Sequence, residues 1–343
     1  MTEEPIPHWP GRLFALADHQ VYLRSVAWDP PHSDSSETEY PGQEYPEPDG
    51  RTRARAKPRR SVEPALCVHG LEGSSRNWTD LMDLLRPALA CDAVDLPGHG
   101  DSPPRPDNSY GITALAQTLA QTIERRGRGP VHLMGNSYGG AVCVRLAATR
   151  PELIRSLTLI SPALPDPRPR LDLARFPLMT IPGVGERLLR QMSQVPPENR
   201  VADVIATCYA DPSRFPRSRF ATEVAELTRR DTLGHAAATL VGCVRALTAE
   251  TLRIARWSAW RDAARIEAPA LVIYGREDRL VDPRNAGRAA HAFRNGRIVV
   301  MPRTGHVAHM EHPEAVAAEI SQLLERAAPA PARAREFPLT RTG

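Results

Sequence analysis

Residues 135–140 read GNSYGG. A serine hydroxyl is a weak nucleophile until a neighbouring base takes its proton. Here Ser137 has Gly135 two positions before it and Gly139 and Gly140 just after. Glycines gather where a backbone bends tightly or where side chains would collide. The stretch is therefore either an ordinary tight turn or a device for presenting one hydroxyl. The partners such a hydroxyl needs occur in the second half of the chain. The run ALVIYGREDRLVD puts Asp278 three residues beyond Gly275, and RIVVMPRTGHVAHMEHPE puts His306 directly after Gly305. A histidine would take the serine proton; a carboxylate would fix its tautomer and stabilise the imidazolium. His309 and His312 compete for the first role but read as surface or supporting histidines. Glu277, Asp282 and Asp166 compete for the second, and the proline-rich setting of Asp166, LPDPRPR, reads as a plain loop.

These residues need elements to position them. Residues 12–28 read as two short strands around a turn near Asp18 and His19. Apolar runs ending in glycine or proline follow at 65–70, 131–135, 156–162, 270–275 and 297–302, with another at 91–100 running into a glycine-rich loop. Helical periodicity fills the gaps, at 77–89, 112–127, 140–150, 284–293 and 313–327. Strands alternating with helices imply a mostly parallel central sheet covered on both faces. Ser137, Asp278 and His306 each fall at the carboxyl end of an expected strand, so one rim of the sheet can collect them. The serine also sits at a helix N-terminus, where a developing negative charge is favoured.

The alternation breaks between 164 and 262. Only helical patterns occur there, near 183–193, 197–210, 216–230 and 235–257, which predicts an all-helical cap inserted over the carboxyl ends of the strands. The expected organisation is N-terminal strands over 1–28, a core over 62–163 and 263–327, and the cap over 164–262. Residues 29–61 are proline-rich, acidic first and then basic (RTRARAKPRR), and poor in aliphatics. They read as a flexible surface insertion. Residues 328–343 read as a disordered tail.

Composition narrows the function classes. Of the 343 residues, 41% are hydrophobic, enough for a large core. The net charge of +4 gives no strong nucleic-acid footprint. Lys57 is the only lysine, so the positive charge is almost all arginine. The five cysteines, Cys67, Cys91, Cys143, Cys208 and Cys243, form no CxxC pair and no metal-ligand spacing. Buried free thiols in a reducing cytoplasm are expected. The segment MTEEPIPHWPGRLF has acidic residues where a secretory signal needs basic ones. No run approaches the length of a membrane span. A cytoplasmic protein is expected, with a small-molecule substrate, no nucleic-acid partner, no stable membrane insertion, no cofactor and no metal.

The segments VHGLEGSSRNW, AVDLPGHGDSP, GNSYGG, LVIYGREDRLVD and GHVAHMEHPE occur in an order that resembles the α/β-hydrolase fold superfamily, in its cap-bearing serine esterase and lipase branch. The resemblance spans roughly 12–327, apart from 29–61 and the cap. It implies a nucleophile elbow at Ser137, with chain order nucleophile, acid, histidine, here Ser137, Asp278 and His306. It also implies an oxyanion hole made by the backbone N–H groups of Tyr138 and Leu71, the latter in the loop HGLEGS. Asp95, His99 and His69 then read as loop organisers. The implied activity is hydrolysis through an acyl-enzyme. The apolar helical stripes within 164–262, some of which should line a pocket, add the expectation of a carboxylic ester with a small or medium apolar acyl group. Asn136 is similar to the elbow of carbon–carbon bond hydrolases acting on ring-cleavage products. The loop HGLEGSS and Val307 after the histidine depart from that subgroup. Thioesterase and perhydrolase activities stay open, as does a non-enzymatic ligand receptor on the same fold.

Overall fold

The computed structural model describes residues 6–26, 62–166, 178–181, 183–252 and 259–327. The insertion expected at 29–61, the tail at 328–343 and residues 253–258 lie outside the described residues.

Eight strands form one sheet in the order β1-β2-β4-β3-β5-β6-β7-β8. They are β1 (Gly11–Ala15), β2 (Gln20–Ser25), β3 (Glu63–Val68), β4 (Leu89–Asp95), β5 (Val131–Asn136), β6 (Ile154–Ile160), β7 (Ala270–Gly275) and β8 (Gly296–Met301). The hairpin β1–β2 is antiparallel and β2 joins β4 antiparallel; every pairing from β4 to β8 is parallel.

The apolar runs are continuous because both faces of the sheet are covered, and successive side chains point to opposite faces. Leu66 and Val68 of β3 pack with Leu115, Leu119 and Ile123 of α2 (Ile112–Arg126) and with Val142 and Leu146 of α3 (Ser137–Thr149). The intervening Ala65 and Cys67 face the other way. They meet Leu81, Met82 and Leu85 of α1 (Thr79–Leu85) and the helix that ends the described chain. Fully burying one such aliphatic side chain stabilises the fold by about 1.5–3 kcal/mol. One helix boundary differs from expectation. The helix expected to reach Leu89 stops at Leu85, Arg86 turns back to the Asp83 carbonyl, and Pro87 has no N–H to continue the ladder. Leu89 then opens β4.

Between β6 and β7 the described residues hold helices and no strand: α4 (Val184–Ser193), α5 (Pro197–Cys208), α6 (Arg217–Asp231), α7 (Ala236–Leu252) and α8 (Ala259–Ala263). After β7 come α9 (Asn285–Ala292), then β8, α10 (Ala308–Glu311) and α11 (Pro313–Ala327). The chain leaves β3 for β4 on one side and later returns to β5 on the other side of β3. Loops diverge at such a switch point and leave a crevice beyond the strand ends. The loops after β3 and β5 meet there.

Candidate active site

Strand β5 ends at Asn136 and α3 begins at the next residue, Ser137. Ser137 has φ 52°, in the left-handed region. A residue with a Cβ pays roughly 1–2 kcal/mol to sit there. The bend survives because the following helix lies against the end of β3. A Cβ on Gly139 would lie 2.6 Å from the Val68 carbonyl oxygen, and one on Gly135 would lie 2.9 Å from the Gly140 Cα. The glycines around Ser137 thus answer a steric demand, and the half-buried serine is held at the positive end of α3.

The loop after β3 lies directly on this bend: a Cβ built on Gly70 would come 3.0 Å from the Ser137 Cβ. Buried His69 holds that loop. Its Nε2 accepts the Leu96 N–H at 2.9 Å, so its proton is on Nδ1, which donates to the Gly70 carbonyl at 2.7 Å. Burial pushes its pKa down to about 4, so it is a neutral strut at pH 7. Leu71 comes next and packs against Met179, Leu240 and Val244, together with Leu188 and Leu189. Tyr138 buries its side chain in the core and donates its hydroxyl to the Tyr110 carbonyl.

Asp278 and His306 meet. The His306 Nδ1 lies 2.9 and 3.1 Å from the two carboxylate oxygens of Asp278, and both side chains are buried. The Asp278 Oδ1 also accepts the N–H groups of Leu280 and Val281 at 2.8 and 2.9 Å. Burial pushes the Asp278 pKa upward. The charge and hydrogen bond of His306, the Val281 N–H and the adjacent Ser161 side chain outweigh that, and the net direction is below the usual carboxylate range. The Ser137 hydroxyl makes no hydrogen bond to the His306 ring. The two are joined through the backbone instead. The Asn136 Nδ2 donates to the His306 carbonyl at 3.2 Å and to the Ile160 carbonyl at 3.0 Å.

The rivals stand elsewhere. Asp166 accepts from the Asn285 amide at 3.2 Å, Glu277 accepts the Thr304 N–H at 3.0 Å, and Asp282 pairs with Arg284. His309 is buried and stacked on Trp78 with centroids 4.4 Å apart, and His312 donates to the Arg303 carbonyl at 2.9 Å. Asp95 accepts the N–H groups of Ser75 and Asp101 at 2.5 and 2.8 Å, and buried His99 lies beside the Pro97 carbonyl, so both organise loops as expected.

Three residues near the site have roles that sequence patterns did not assign. Asn136, which the sequence marks only by its likeness to another subgroup's elbow, bridges two strand ends and the histidine loop. Ser161, with φ 44°, lies beside Asp278. Glu311 is buried below the histidine loop; in HMEHPE it is the first of two acids, and nothing in that spacing sets it apart from exposed Glu314.

The helices between β6 and β7 touch these loops directly. The Cys208 carbonyl at the end of α5 accepts the His306 N–H at 2.7 Å. Arg230 of α6 donates to the Glu72 carbonyl at 2.6 Å, and Arg229 donates to the Gly100 carbonyl at 2.9 Å. Among the described residues no three His, Cys, Asp or Glu side chains converge as metal ligands would.

Residues 64–313 match the family described as the alpha/beta hydrolase fold. The chain belongs to that family. It is a hydrolase, and esterases and lipases are among its relatives. A pimeloyl-[acyl-carrier protein] methyl ester esterase of Neisseria meningitidis serogroup B (strain H44/76) is 27% identical over 281 residues, covering 80% of this chain and 98% of that protein. A monoacylglycerol lipase of Xenopus laevis is 27% identical over 263 residues, covering 76% and 74% of the two chains. The crystal structure of a bacterial membrane phospholipase A superposes with a TM-score of 0.69 at 20% identity, covering 94% of this chain and 87% of that one. At that identity the likeness speaks for the fold alone. Among the described residues no helix is long and apolar enough to cross a membrane.

Proposed function

We propose that this hydrolase cleaves carboxylic esters of small or medium apolar acyl groups through an acyl-enzyme on Ser137. The observation that carries the reading is the buried Asp278–His306 pair, 2.9 Å apart, tied through Asn136 to the strained bend that presents Ser137.

In this reading the Ser137 Oγ attacks the ester carbonyl and its proton passes to the His306 Nε2. Asp278 holds the opposite ring proton and stabilises the imidazolium. Hydroxyl and ring must close on one another as substrate binds; catalytic hydrogen bonds commonly tighten only in that complex. The tetrahedral oxyanion accepts from the N–H groups of Leu71 and Tyr138, each worth about 3–4 kcal/mol in the transition state. Collapse expels the alcohol with the proton from His306. Water, activated by the same ring, then attacks the acyl carbon and releases the acid.

The acyl group is read from Leu71, whose side chain adjoins an apolar cluster of Met179, Leu240 and Val244. Such a cluster suits an alkyl or small aromatic chain. The relatives' esterase and lipase activities agree with this reading. The helices over 164–262 serve as the cap that closes the apolar side. Both amide hydrogens of Asn136 are engaged by backbone carbonyls, so in this reading it acts as a tie between loops and touches no substrate.

A panel of p-nitrophenyl esters of increasing acyl length tests the proposal on wild type and Ser137→Ala. Multiple turnover by wild type, best at short to medium chains, and collapse in Ser137→Ala are expected. Equal activity of the two proteins would sink the mechanism. Ligand retention without turnover would move the reading to a receptor.

A further inference from the structure

Glu311 is a charged side chain only 1% exposed, yet neither of its carboxyl oxygens meets a cation among the described residues. Both are occupied by main-chain N–H groups from two different parts of the chain. The Oε2 accepts the Gly305 N–H at 2.7 Å, and the Oε1 accepts the Asp211 N–H at 2.9 Å. Gly305 immediately precedes His306. Asp211 lies in the turn that follows α5. A buried carboxyl is costly unless hydrogen-bonded, so its retention at this place needs a reason.

The surrounding bonds supply one. The His306 N–H goes to the Cys208 carbonyl at 2.7 Å, and the Arg214 Nε donates to the Glu311 carbonyl at 2.8 Å. Arg279, next to Asp278, donates to the Ala206 carbonyl. These acceptors on α5 are among the last carbonyls of the helix, which have no partner within it. The fit is close as well: a Cβ on Gly305 would lie 2.7 Å from the Ala210 nitrogen. The histidine loop is thus pressed flat against residues 208–211, and Glu311 joins the two from beneath.

We infer that Glu311 is a positioning residue: its carboxyl group clamps Gly305 to Asp211 and so sets where the His306 ring stands relative to Ser137. The inference rests on the reading of His306 as the base. Glu311 does not touch the reacting atoms. It acts through the loop, and it makes the 208–211 turn part of the catalytic frame.

The test compares Glu311→Gln and Glu311→Ala with wild type on a p-nitrophenyl ester, alone and in a His306→Ala background. Glu311→Gln keeps one acceptor oxygen and nearly the native shape, so it serves if the alanine variant does not fold. A displacement near 1 Å costs up to about 100-fold in rate. A fall in kcat of roughly tenfold to a hundredfold is expected, with KM within about threefold and Glu311→Gln between wild type and Glu311→Ala. In the His306→Ala background neither substitution lowers the residual rate further, because the residue they act through is gone. A full loss that persists there, a loss confined to KM, or unchanged kcat in both Glu311 variants overturns the inference. Failure of the underlying reading is separate and visible: His306→Ala itself would then retain activity.

Discussion

The side-chain amide of Asn136 donates to the main-chain carbonyl of His306 at 3.2 Å. That bond joins the residue before the proposed nucleophile to the proposed base, 170 positions later in the chain. The same amide holds the Ile160 carbonyl at the end of the neighbouring strand, so one buried side chain sets the spacing of two strand ends and the histidine loop.

Replacing Asn136 with alanine leaves two buried carbonyls without this donor. A loss of about 1–3 kcal/mol is expected for each that stays unpaired. Urea unfolding should show the lost stability, and ester kinetics should show kcat falling more than KM. An Asn136→Ala protein as stable and as active as wild type would remove the residue from the frame of the site.

Ser137 sits at φ 52°, where a Cβ is strained. Ser137→Ala and Ser137→Gly both remove the hydroxyl, but only glycine relaxes the bend. Both variants should lack esterase activity, with Ser137→Gly no less stable than Ser137→Ala and ahead by up to about 1 kcal/mol. Thermal melts of the pair decide it. An alanine variant clearly more stable than the glycine variant would mean that the bend carries no strain.

The lowered pKa of Asp278 predicts how stability depends on acid. A carboxylate whose folded pKa lies below its unfolded value contributes stability that is complete above the unfolded pKa, near 3.8. That contribution is lost as pH falls through the folded value. Wild type should therefore lose stability below about pH 4 more steeply than Asp278→Asn. Urea midpoints from pH 7 down to 2.5 measure the difference, and parallel curves would refute it.

His309 predicts a separate window. Burial holds its pKa down to about 3, and neither ring nitrogen has a hydrogen-bond partner among the described residues. The unfolded chain takes up this proton as pH falls below 6.5 while the folded chain does not. Stability due to this group therefore declines from about pH 6.5 toward 3. His309→Phe keeps a ring against Trp78 and removes two unpaired polar atoms. It should be neutral or stabilising at pH 7 and should flatten the slope by about one proton between pH 6 and 4. A phenylalanine variant that is less stable at pH 7, with the wild-type slope, would show that the imidazole is paired after all.

Much of this was legible from residue order, and the reasons are local. Continuous apolar runs mark strands covered on both faces, and the glycines around Ser137 announced close contact between β5 and α3. The helix that stops at Leu85 was read as longer because helical periodicity runs on past the proline that ends it. Glu311 and Ser161 escaped notice for a different reason. Their importance lies in which backbone groups come to them from distant segments, and no spacing rule encodes that.

The sequence by itself determined the alternating sheet, the helical interruption between β6 and β7, and the order of Ser137, Asp278 and His306, because periodicity and steric demand act within a few residues. Only the tertiary structure decided that Asp278 rather than Asp166 faces His306. Only it showed that Asn136 ties serine to histidine, and that the turn after α5 is bound to the histidine loop. Those outcomes depend on how parallel strands line up their carboxyl ends, and on which buried polar groups must then find each other to avoid being left unpaired.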